Sequence, residues 1–243
     1  MNLIIDIGNT RFKAALFEHK TLVEAHSYTS KADFMAALPT LLARAKQAAI
    51  CTVVDTIQDI QSLINIPCLL FKSDTPIPVQ NNYQTLSTLG SDRITAAVGA
   101  HALFPGKHCL VIDAGTCIKY NLITAEGVYL GGAISPGMPM RLKAMNHYTD
   151  RLPLIDMDPG FDTLLGQSTR DSLLSGALLG AVAEADGMTE RYSKQYPGLI
   201  TVITGGDGPY LAKRLKNHIF AEPYLVLKGL NEILIYNFEH KHL

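Results

Sequence analysis

The same pattern of residues occurs twice in this chain, once near its start and once near its middle. In each copy a short apolar run ends at an aspartate, a glycine and a hydroxyl side chain, and a second apolar run follows at once. The copies are Asp6-Ile7-Gly8-Asn9-Thr10 and Asp113-Ala114-Gly115-Thr116. Each predicts a strand, a tight polar turn and a second strand. The repetition predicts a chain built from two similar halves.

The rest of the chain alternates between strand and helix patterns. Short apolar runs predict strands, and apolar residues at helical spacing predict helices, the first of which Pro39 should kink or split. The predicted strands are residues 3–6, 12–17, 22–28, 49–54, 68–71, 109–113, 117–123, 127–133 and 199–204, and the predicted helices are 31–47, 92–103, 138–147, 169–195 (as one helix or two) and one from about 209. The simplest assembly is an α/β fold of two βββαβα-type halves, residues 1–107 and 108–243.

Composition predicts a soluble protein without a nucleic-acid or membrane partner. The chain has 243 residues, of which 47% are hydrophobic, and its 21 basic and 22 acidic residues form no basic cluster. Its longest uncharged apolar stretch, from Leu173 to about Ala183, is far shorter than the ~20 residues that span a bilayer. Four cysteines without C-x-x-C spacing favour free, buried thiols in a reducing cytoplasm over zinc ligation or disulfides.

The two turns have the residue types that bind a polyphosphate together with a metal ion. Glycine lets backbone N–H groups approach phosphate oxygens, and an aspartate holds Mg²⁺ directly or through water. Asp, Asn and Gly also form ordinary hairpin turns, which one copy alone would favour. Two copies in equivalent places favour a nucleotide between the halves. A third cluster, Thr204-Gly205-Gly206, could approach an adenine or a phosphate, although an ordinary turn between strand and helix would look the same.

These features resemble the superfamily of acetate and sugar kinases, heat-shock chaperones and actin, in which two phosphate motifs and an adenosine motif surround ATP. In addition, Gly90-Ser91-Asp92-Arg93, with Tyr83 seven residues before the glycine, resembles the G-x-D-R substrate motif of type III pantothenate kinases. The stretches DIGNTRFK, DAGTCIKYNLI, GGAISPGM and TGGDG are similar to that family in order and spacing. The resemblance covers essentially the whole chain. It implies an actin-like ATPase (ribonuclease H-like) fold with an ATP cleft between the halves.

The resemblance also implies an activity and its ligands. The γ-phosphoryl group of ATP would move to pantothenate, giving 4'-phosphopantothenate in the first step of coenzyme A biosynthesis. Asp6 would hold Mg²⁺, directly or through water, and Asp113 would bind a monovalent cation, K⁺ or NH₄⁺. The residues expected to bind ATP are Asp6, Ile7, Gly8, Asn9, Thr10, Arg11, Phe12, Lys13, Thr116, Gly205 and Gly206.

The substrate motif suggests the acceptor side of the reaction. Asp92 is the candidate for accepting the hydroxyl proton, because an aspartate at a helix start can be aimed by rigid backbone. By resemblance, Thr169 reaches the pantothenate of a neighbouring subunit, so a homodimer with shared active sites is expected. The pantothenate-binding residues would be Tyr83, Gly90, Ser91, Asp92, Arg93 and Thr169. Their structural alternatives are N-caps for Asp92 and Thr169, a surface charge for Arg93 and loop packing for Tyr83.

Two other functions are compatible with the ATP turns. A nucleotide-sensing regulator, such as an accessory factor for transcription, would keep the turns and lose the substrate motif. Gly90, Asp92 and Arg93 are all present, which disfavours it. Another small-molecule kinase of the superfamily, acting on acetate or a sugar, would usually be longer and would lack G-x-D-R before the second turn.

Overall fold

The strands of this protein form two sheets in a computed structural model, which describes residues 1–8, 10–53 and 57–240. Asn9, predicted to bind ATP, lies outside the described residues, as does the predicted strand end at Val54. The strands are β1 (Asn2–Ile7), β2 (Phe12–Glu18), β3 (Thr21–Tyr28), β4 (Gln47–Thr52), β5 (Cys68–Leu70), β6 (Gln80–Asn81), β7 (Cys109–Ala114), β8 (Cys117–Ile123), β9 (Val128–Pro136), β10 (Ile200–Thr204) and β11 (Ile219–Ala221).

The helices alternate with groups of these strands along the chain. None in the described part of the chain is both long and apolar enough to cross a membrane. A 3₁₀ turn covers Leu86–Thr88 and a π-helical segment covers Ser175–Leu179. The α-helices are α1 (Lys31–Leu42), α2 (Gln58–Leu63), α3 (Ser91–Leu103), α4 (Met138–His147), α5 (Thr169–Leu174), α6 (Gly180–Gln195), α7 (Gly208–Ala212) and α8 (Leu225–Glu239).

The two sheets repeat one strand order. The first is β3-β2-β1-β4-β5, and the second contains β9-β8-β7-β10-β11, with β6 added beside β9. In each sheet the first strand of the repeat lies beside a later parallel strand, β4 beside β1 and β10 beside β7. The α/β fold and the internal repeat predicted from the two turns are therefore confirmed.

The chain packs into two compact units that differ from its sequence halves. The first unit contains residues 1–106, 123–130 and 224–243, and the second contains residues 107–122 and 131–223. The predicted division between residues 107 and 108 remains a prediction about domains, but the compact units assign the C-terminal helix α8 to the first unit.

Each unit has its own apolar core. In the first, β1 is buried along its whole length, as expected of a central strand covered on both faces; Leu3, Ile5 and Ile7 pack there with Phe34 of α1. In the second, Leu110 and Ile112 of β7 pack with Leu174 and Leu178. Each central strand is therefore anchored in a packed core next to the turn that follows it.

Several predicted elements differ from the structure. The first helix continues through Pro39 but ends at Leu42, because the chain must turn before β4 begins at Gln47. The patterns missed α2, α8 and the π segment that joins α5 to α6. All four cysteines are free, as predicted, but Cys68 is exposed and Cys117 is only half-buried, so the prediction of burial holds for Cys51 and Cys109 alone.

Candidate active site

The first turn closes the β1–β2 hairpin and leaves Asp6 at the end of a buried strand. The Gly8 N–H donates a hydrogen bond to the Arg11 carbonyl oxygen over 3.0 Å. Asp6 lies opposite Lys13 across the hairpin and is 9% exposed. The turn thus places a carboxylate and a lysine on neighbouring strands, as a site for a metal-bound phosphate requires.

Two predicted ATP-binding residues next to this turn have side chains in the core. Ile7 is fully buried, and the Phe12 ring stacks on Phe34 with centroids 5.4 Å apart. Only their backbone groups are therefore available to a phosphate. Thr10 and Arg11 are exposed, and Lys13 is half-buried.

A buried cysteine links Asp6 to the predicted proton acceptor. Cys51 of β4 is the register partner of Asp6 and is fully buried. Burial raises the pKa of its thiol, and the nearby carboxylates of Asp6 and Asp92 raise this pKa further, against a hydrogen bond with Ser91 that lowers it. The structure therefore brings Asp6 and Asp92 to one buried thiol, although the sequence separates them widely. Sequence reasoning did not identify Cys51 as their common neighbour.

Asp92 lies in the first turn of α3 and is not its N-cap. The N-cap is Gly90, so Asp92 is the second residue of the helix, and the N-cap alternative is wrong. A Cβ atom at Gly90 would lie only 2.7 Å from Asp92 Oδ1. The carboxylate thus folds back over residue 90, and the glycine makes room for it.

Replacing Gly90 should consequently impair turnover, because a larger side chain would displace the Asp92 carboxylate. We expect Gly90→Ala to lower kcat by about tenfold to a hundredfold, because a displacement of about 1 Å in a reacting group can have such an effect. The KM for ATP should change little. Steady-state kinetics with both substrates would measure this.

A matched control for Gly90→Ala is Ala102→Gly, at an exposed position of the same helix. It should weaken α3 by up to about 1 kcal/mol through helix propensity and leave kcat unchanged. Equal losses of kcat in both variants would show that helix stability, and not the position of Asp92, controls turnover.

Arg93 and Tyr83 form a contact pair beside Asp92. Arg93 is 5% exposed, so the alternative of a surface charge is wrong. Its Nη1 donates to the Tyr83 hydroxyl over 3.3 Å, and its guanidinium lies 5.4 Å from the centroid of the Tyr83 ring. Tyr83 therefore does more than pack in a loop. Ser91 Oγ donates to the Thr52 carbonyl oxygen over 2.9 Å, which ties the start of α3 to the end of β4.

A cavity of about 720 Å³ opens beside the same motif in the first unit. Gly90 and Ser91 line it, together with Thr52, Leu89 and Asn81. Its volume is within the range typical of small-molecule sites. Asp92, Arg93 and Tyr83 are not among its lining residues.

In the second unit, two other turns meet the repeat of the first turn. The Gly115 N–H donates to the Cys117 carbonyl oxygen over 3.0 Å and closes the β7–β8 hairpin. The Gly137 N–H donates to the Thr116 carbonyl oxygen over 3.1 Å. Gly205, with φ +92°, lies so close that a Cβ atom there would be 2.2 Å from the Ala114 carbonyl oxygen. The predicted residues Asp113, Thr116, Gly205 and Gly206 are thus brought together.

Asp113 has an ionic partner that the sequence reasoning did not assign. The Lys119 ammonium lies 2.7 Å from Asp113 Oδ2, and the side chains are 19% and 13% exposed, respectively. A K⁺ ion at that oxygen would lie next to a like charge. The pattern could have shown this contact, because residues 113 and 119 are equally far from the hairpin turn.

Glu184 of α6 is a second residue that sequence reasoning missed. Its carboxylate accepts hydrogen bonds from the hydroxyls of Tyr120 and Ser135 and from Arg141, whose Nε also donates to the Pro136 carbonyl oxygen over 2.9 Å. Burial acts to raise the pKa of Glu184, but these hydrogen bonds outweigh it and lower that pKa. The network fixes the end of β9, next to Gly137, whose N–H donates to the Thr116 carbonyl oxygen. No local motif indicates it.

Thr169 is the exposed first residue of α5. The N-cap of this helix is Ser168, whose hydroxyl accepts a hydrogen bond from the Asp171 N–H over 3.1 Å. The N-cap alternative for Thr169 is therefore wrong. Its predicted contact with pantothenate remains a prediction.

A metal ion here would need ligands from outside the protein. The described residues contain no group of three or more His, Cys, Asp or Glu side chains that could hold an ion. Mg²⁺ commonly uses one or two carboxylates, several waters and substrate phosphates. Asp6, as a nearly buried carboxylate at a phosphate-type turn, fits that mode.

Comparisons with known proteins agree with the motifs. The family model for type III pantothenate kinase matches residues 2–191. A type III pantothenate kinase from Bacteroides fragilis is 43% identical over 241 residues, covering 98% of each chain.

Two solved structures share the fold at lower identity. A Campylobacter jejuni protein described as a Baf family transcriptional activator has a TM-score of 0.63 at 22% identity, covering 99% of this chain and 100% of its own. A ROK hexokinase from Thermus thermophilus has a TM-score of 0.50 at 14% identity, covering 95% and 97%.

Proposed function

This chain belongs to the type III pantothenate kinase family, and we propose that it transfers the γ-phosphoryl group of ATP to the terminal hydroxyl of pantothenate. The products are ADP and 4'-phosphopantothenate, so the reaction begins coenzyme A biosynthesis. The observation that carries the proposal is that the end of β4 joins the phosphate turn to the G-x-D-R acceptor motif, because Thr52 is the register partner of Ile7 and its carbonyl oxygen accepts a hydrogen bond from Ser91 Oγ.

Asp92 has the central role in the proposed reaction. Its carboxylate accepts the proton of the pantothenate hydroxyl as the oxygen forms its bond to the γ-phosphorus, and the bond from that phosphorus to ADP breaks. Phosphoryl transfer depends mainly on alignment and charge neutralisation. The tie between Ser91 and Thr52 and the space at Gly90 fix the carboxylate for this step.

The other residues bind and orient the two substrates. We assign the phosphates of ATP to the two glycine turns, with Thr10, Lys13 and Thr116 as side-chain donors, and its adenosine part to Gly205 and Gly206. Arg93, held against Tyr83, is placed to pair with the pantothenate carboxylate. Mg²⁺, when bound with ATP beside Asp6, supplies neutralisation of phosphate charge.

The proposal also includes the location of the protein in the cell and the cation at the second turn. A cytoplasmic location is supported by four free cysteines, which a reducing compartment maintains. A monovalent positive charge at Asp113 is also proposed. The family resemblance supplies it as a K⁺ or NH₄⁺ ion, whereas Lys119 is the cation in contact with Asp113 Oδ2.

A homodimer with shared active sites completes the proposal. Thr169 is exposed, and a Cβ atom at Gly176 or Gly180 would meet no atom within 4 Å, so this helical face has room for another chain. We expect two inactive variants, Asp92→Asn and Thr169→Trp, to regain turnover when their subunits are mixed and exchanged. One site of each mixed dimer then has an intact Asp92 and an intact Thr169.

The matched control for subunit mixing is Asp92→Asn exchanged with itself, which should stay inactive. Verified exchange without recovery would rule out the shared site. So would a monomer in sedimentation at micromolar protein.

The proposed activity is tested by release of ADP in a coupled assay. Pantothenate should support rapid ADP release with Mg-ATP, whereas acetate and hexoses should not. A chain that binds ATP but turns over none of these acceptors would be a nucleotide-sensing regulator. Turnover with acetate or a sugar in place of pantothenate would identify another kinase of the superfamily.

A further inference from the structure

We infer that Lys119 supplies the monovalent positive charge at Asp113, so that this protein uses a built-in ammonium where a K⁺ or NH₄⁺ ion would bind. The use of this charge in phosphoryl transfer rests on the proposed function. The occupancy of the site does not, because it follows from the residues of the second unit alone.

The contact between Lys119 and Asp113 is short and largely buried. Lys119 Nζ lies 2.7 Å from Asp113 Oδ2, and the two side chains are only 19% and 13% exposed. Water competes poorly for such a pair, so its attraction exceeds that of a surface pair. A lysine ammonium has the charge of NH₄⁺ and is a compact point charge. A free cation at this oxygen would be repelled by the ammonium unless it displaced it.

The other carboxylate oxygen of Asp113 also has a close protein neighbour. A Cβ atom at Gly205 would lie 2.6 Å from Asp113 Oδ1, so this oxygen faces the backbone of the glycine turn with no room for a methyl group. Both oxygens of Asp113 therefore have close protein neighbours. The aspartate connects the lysine on one side to the predicted adenosine turn on the other.

Strand register fixes the position of the lysine beside Asp113. The β7–β8 hairpin is closed between Gly115 and Cys117, so Asp113 and Lys119, two positions further out on each strand, face each other. The first hairpin repeats the arrangement, because Asp6 is the register partner of Lys13. A charge on a side chain of the sheet stays at the site whatever salt is present in solution. Activity should then be independent of the cations in solution.

Cation dependence of turnover tests the role of this charge. Wild-type protein should phosphorylate pantothenate at rates within about twofold of each other in KCl, NaCl and Tris chloride of equal ionic strength. Lys119→Met keeps the aliphatic stem and removes the charge. It should lose roughly tenfold or more of its turnover and regain it with KCl or NH₄Cl, as expected when a missing stabilising charge is restored. Lys194→Met, at an exposed lysine of α6, should behave as wild type.

Ion binding tests the same inference without any turnover. Thallium(I) NMR should detect no bound Tl⁺ on the wild type, and the melting temperature should be equal in KCl and NaCl. Lys119→Met should bind Tl⁺ and melt higher in KCl. Bound Tl⁺ that Asp113→Ala removes from the wild type, a K⁺ requirement of the wild type, or a Lys119→Met variant that K⁺ neither rescues nor stabilises would each overturn the inference.

The two measurements separate the inference from the proposed function. If Lys119→Met does not fold, the wild-type data in KCl and NaCl decide alone. If wild-type protein does not use pantothenate, the proposed function fails, and the Tl⁺ and melting data still decide whether Lys119 fills the site.

Discussion

Asp92→Asn should lower the turnover of pantothenate by about a hundredfold or more while the fold and ATP binding remain intact. The amide is almost the same size as the carboxylate but cannot accept the hydroxyl proton. Because Asp92 is the second residue of α3 and not its N-cap, the change removes no helix cap. Steady-state kinetics, circular dichroism and calorimetric titration with ATP would measure the three properties.

The matched control is Asp74→Asn, the same chemical change at an exposed residue of the first unit. It should leave turnover, fold and ATP binding unchanged. Wild-type turnover in Asp92→Asn would remove this residue from the mechanism. Loss of circular dichroism in that variant would instead assign Asp92 a structural role.

Gly229→Ala should destabilise the protein strongly, although alanine is the better helix former. Helices α3 and α8 cross with their backbones in contact, and a Cβ atom at Gly229 would lie 1.8 Å from the Thr95 carbonyl oxygen. Helix propensity alone predicts a gain of up to about 1 kcal/mol. Forcing two backbones apart should outweigh it and lower the free energy of unfolding by about 3 kcal/mol. Urea unfolding would show a lower midpoint.

Glu239→Ala is the control for this effect, since Glu239 is exposed at the end of the same helix. It should change the free energy of unfolding by no more than about 0.5 kcal/mol. Equal or greater stability of Gly229→Ala would contradict the close contact between α3 and α8. Because α3 carries Asp92, the same variant should also lose turnover in proportion to its loss of folded protein.

The turns could be predicted from sequence because their determinants are local. An aspartate, a glycine and a hydroxyl after a buried strand specify the hairpins at Gly8 and Gly115, and the equal placement of the two hairpins specified the repeated fold. The G-x-D-R stretch gave the start of α3 to within one residue. These features depend on neighbours a few positions apart.

The remaining features depend on contacts that are distant in sequence. Helix α8 was missed because Gly229 weakens its helical pattern, and the reason for that glycine is the distant helix α3. Cys51 has the pattern of any core residue, so its place beside Asp6 and the influence of Asp92 on its thiol follow only from the register of β4 and the position of α3. The Glu184 network likewise joins α6 to β8 and to the end of β9.

The central claim, that this protein phosphorylates pantothenate, is tested most directly by identifying the product. Purified protein would be incubated with Mg-ATP and pantothenate, and the mixture analysed by mass spectrometry and ³¹P NMR, with Asp92→Asn as the paired sample. We expect one equivalent of 4'-phosphopantothenate for each ADP formed by the wild type and almost none from the variant. Formation of ADP without phosphorylated pantothenate, or unmodified ATP and pantothenate after prolonged incubation with folded protein, would contradict it.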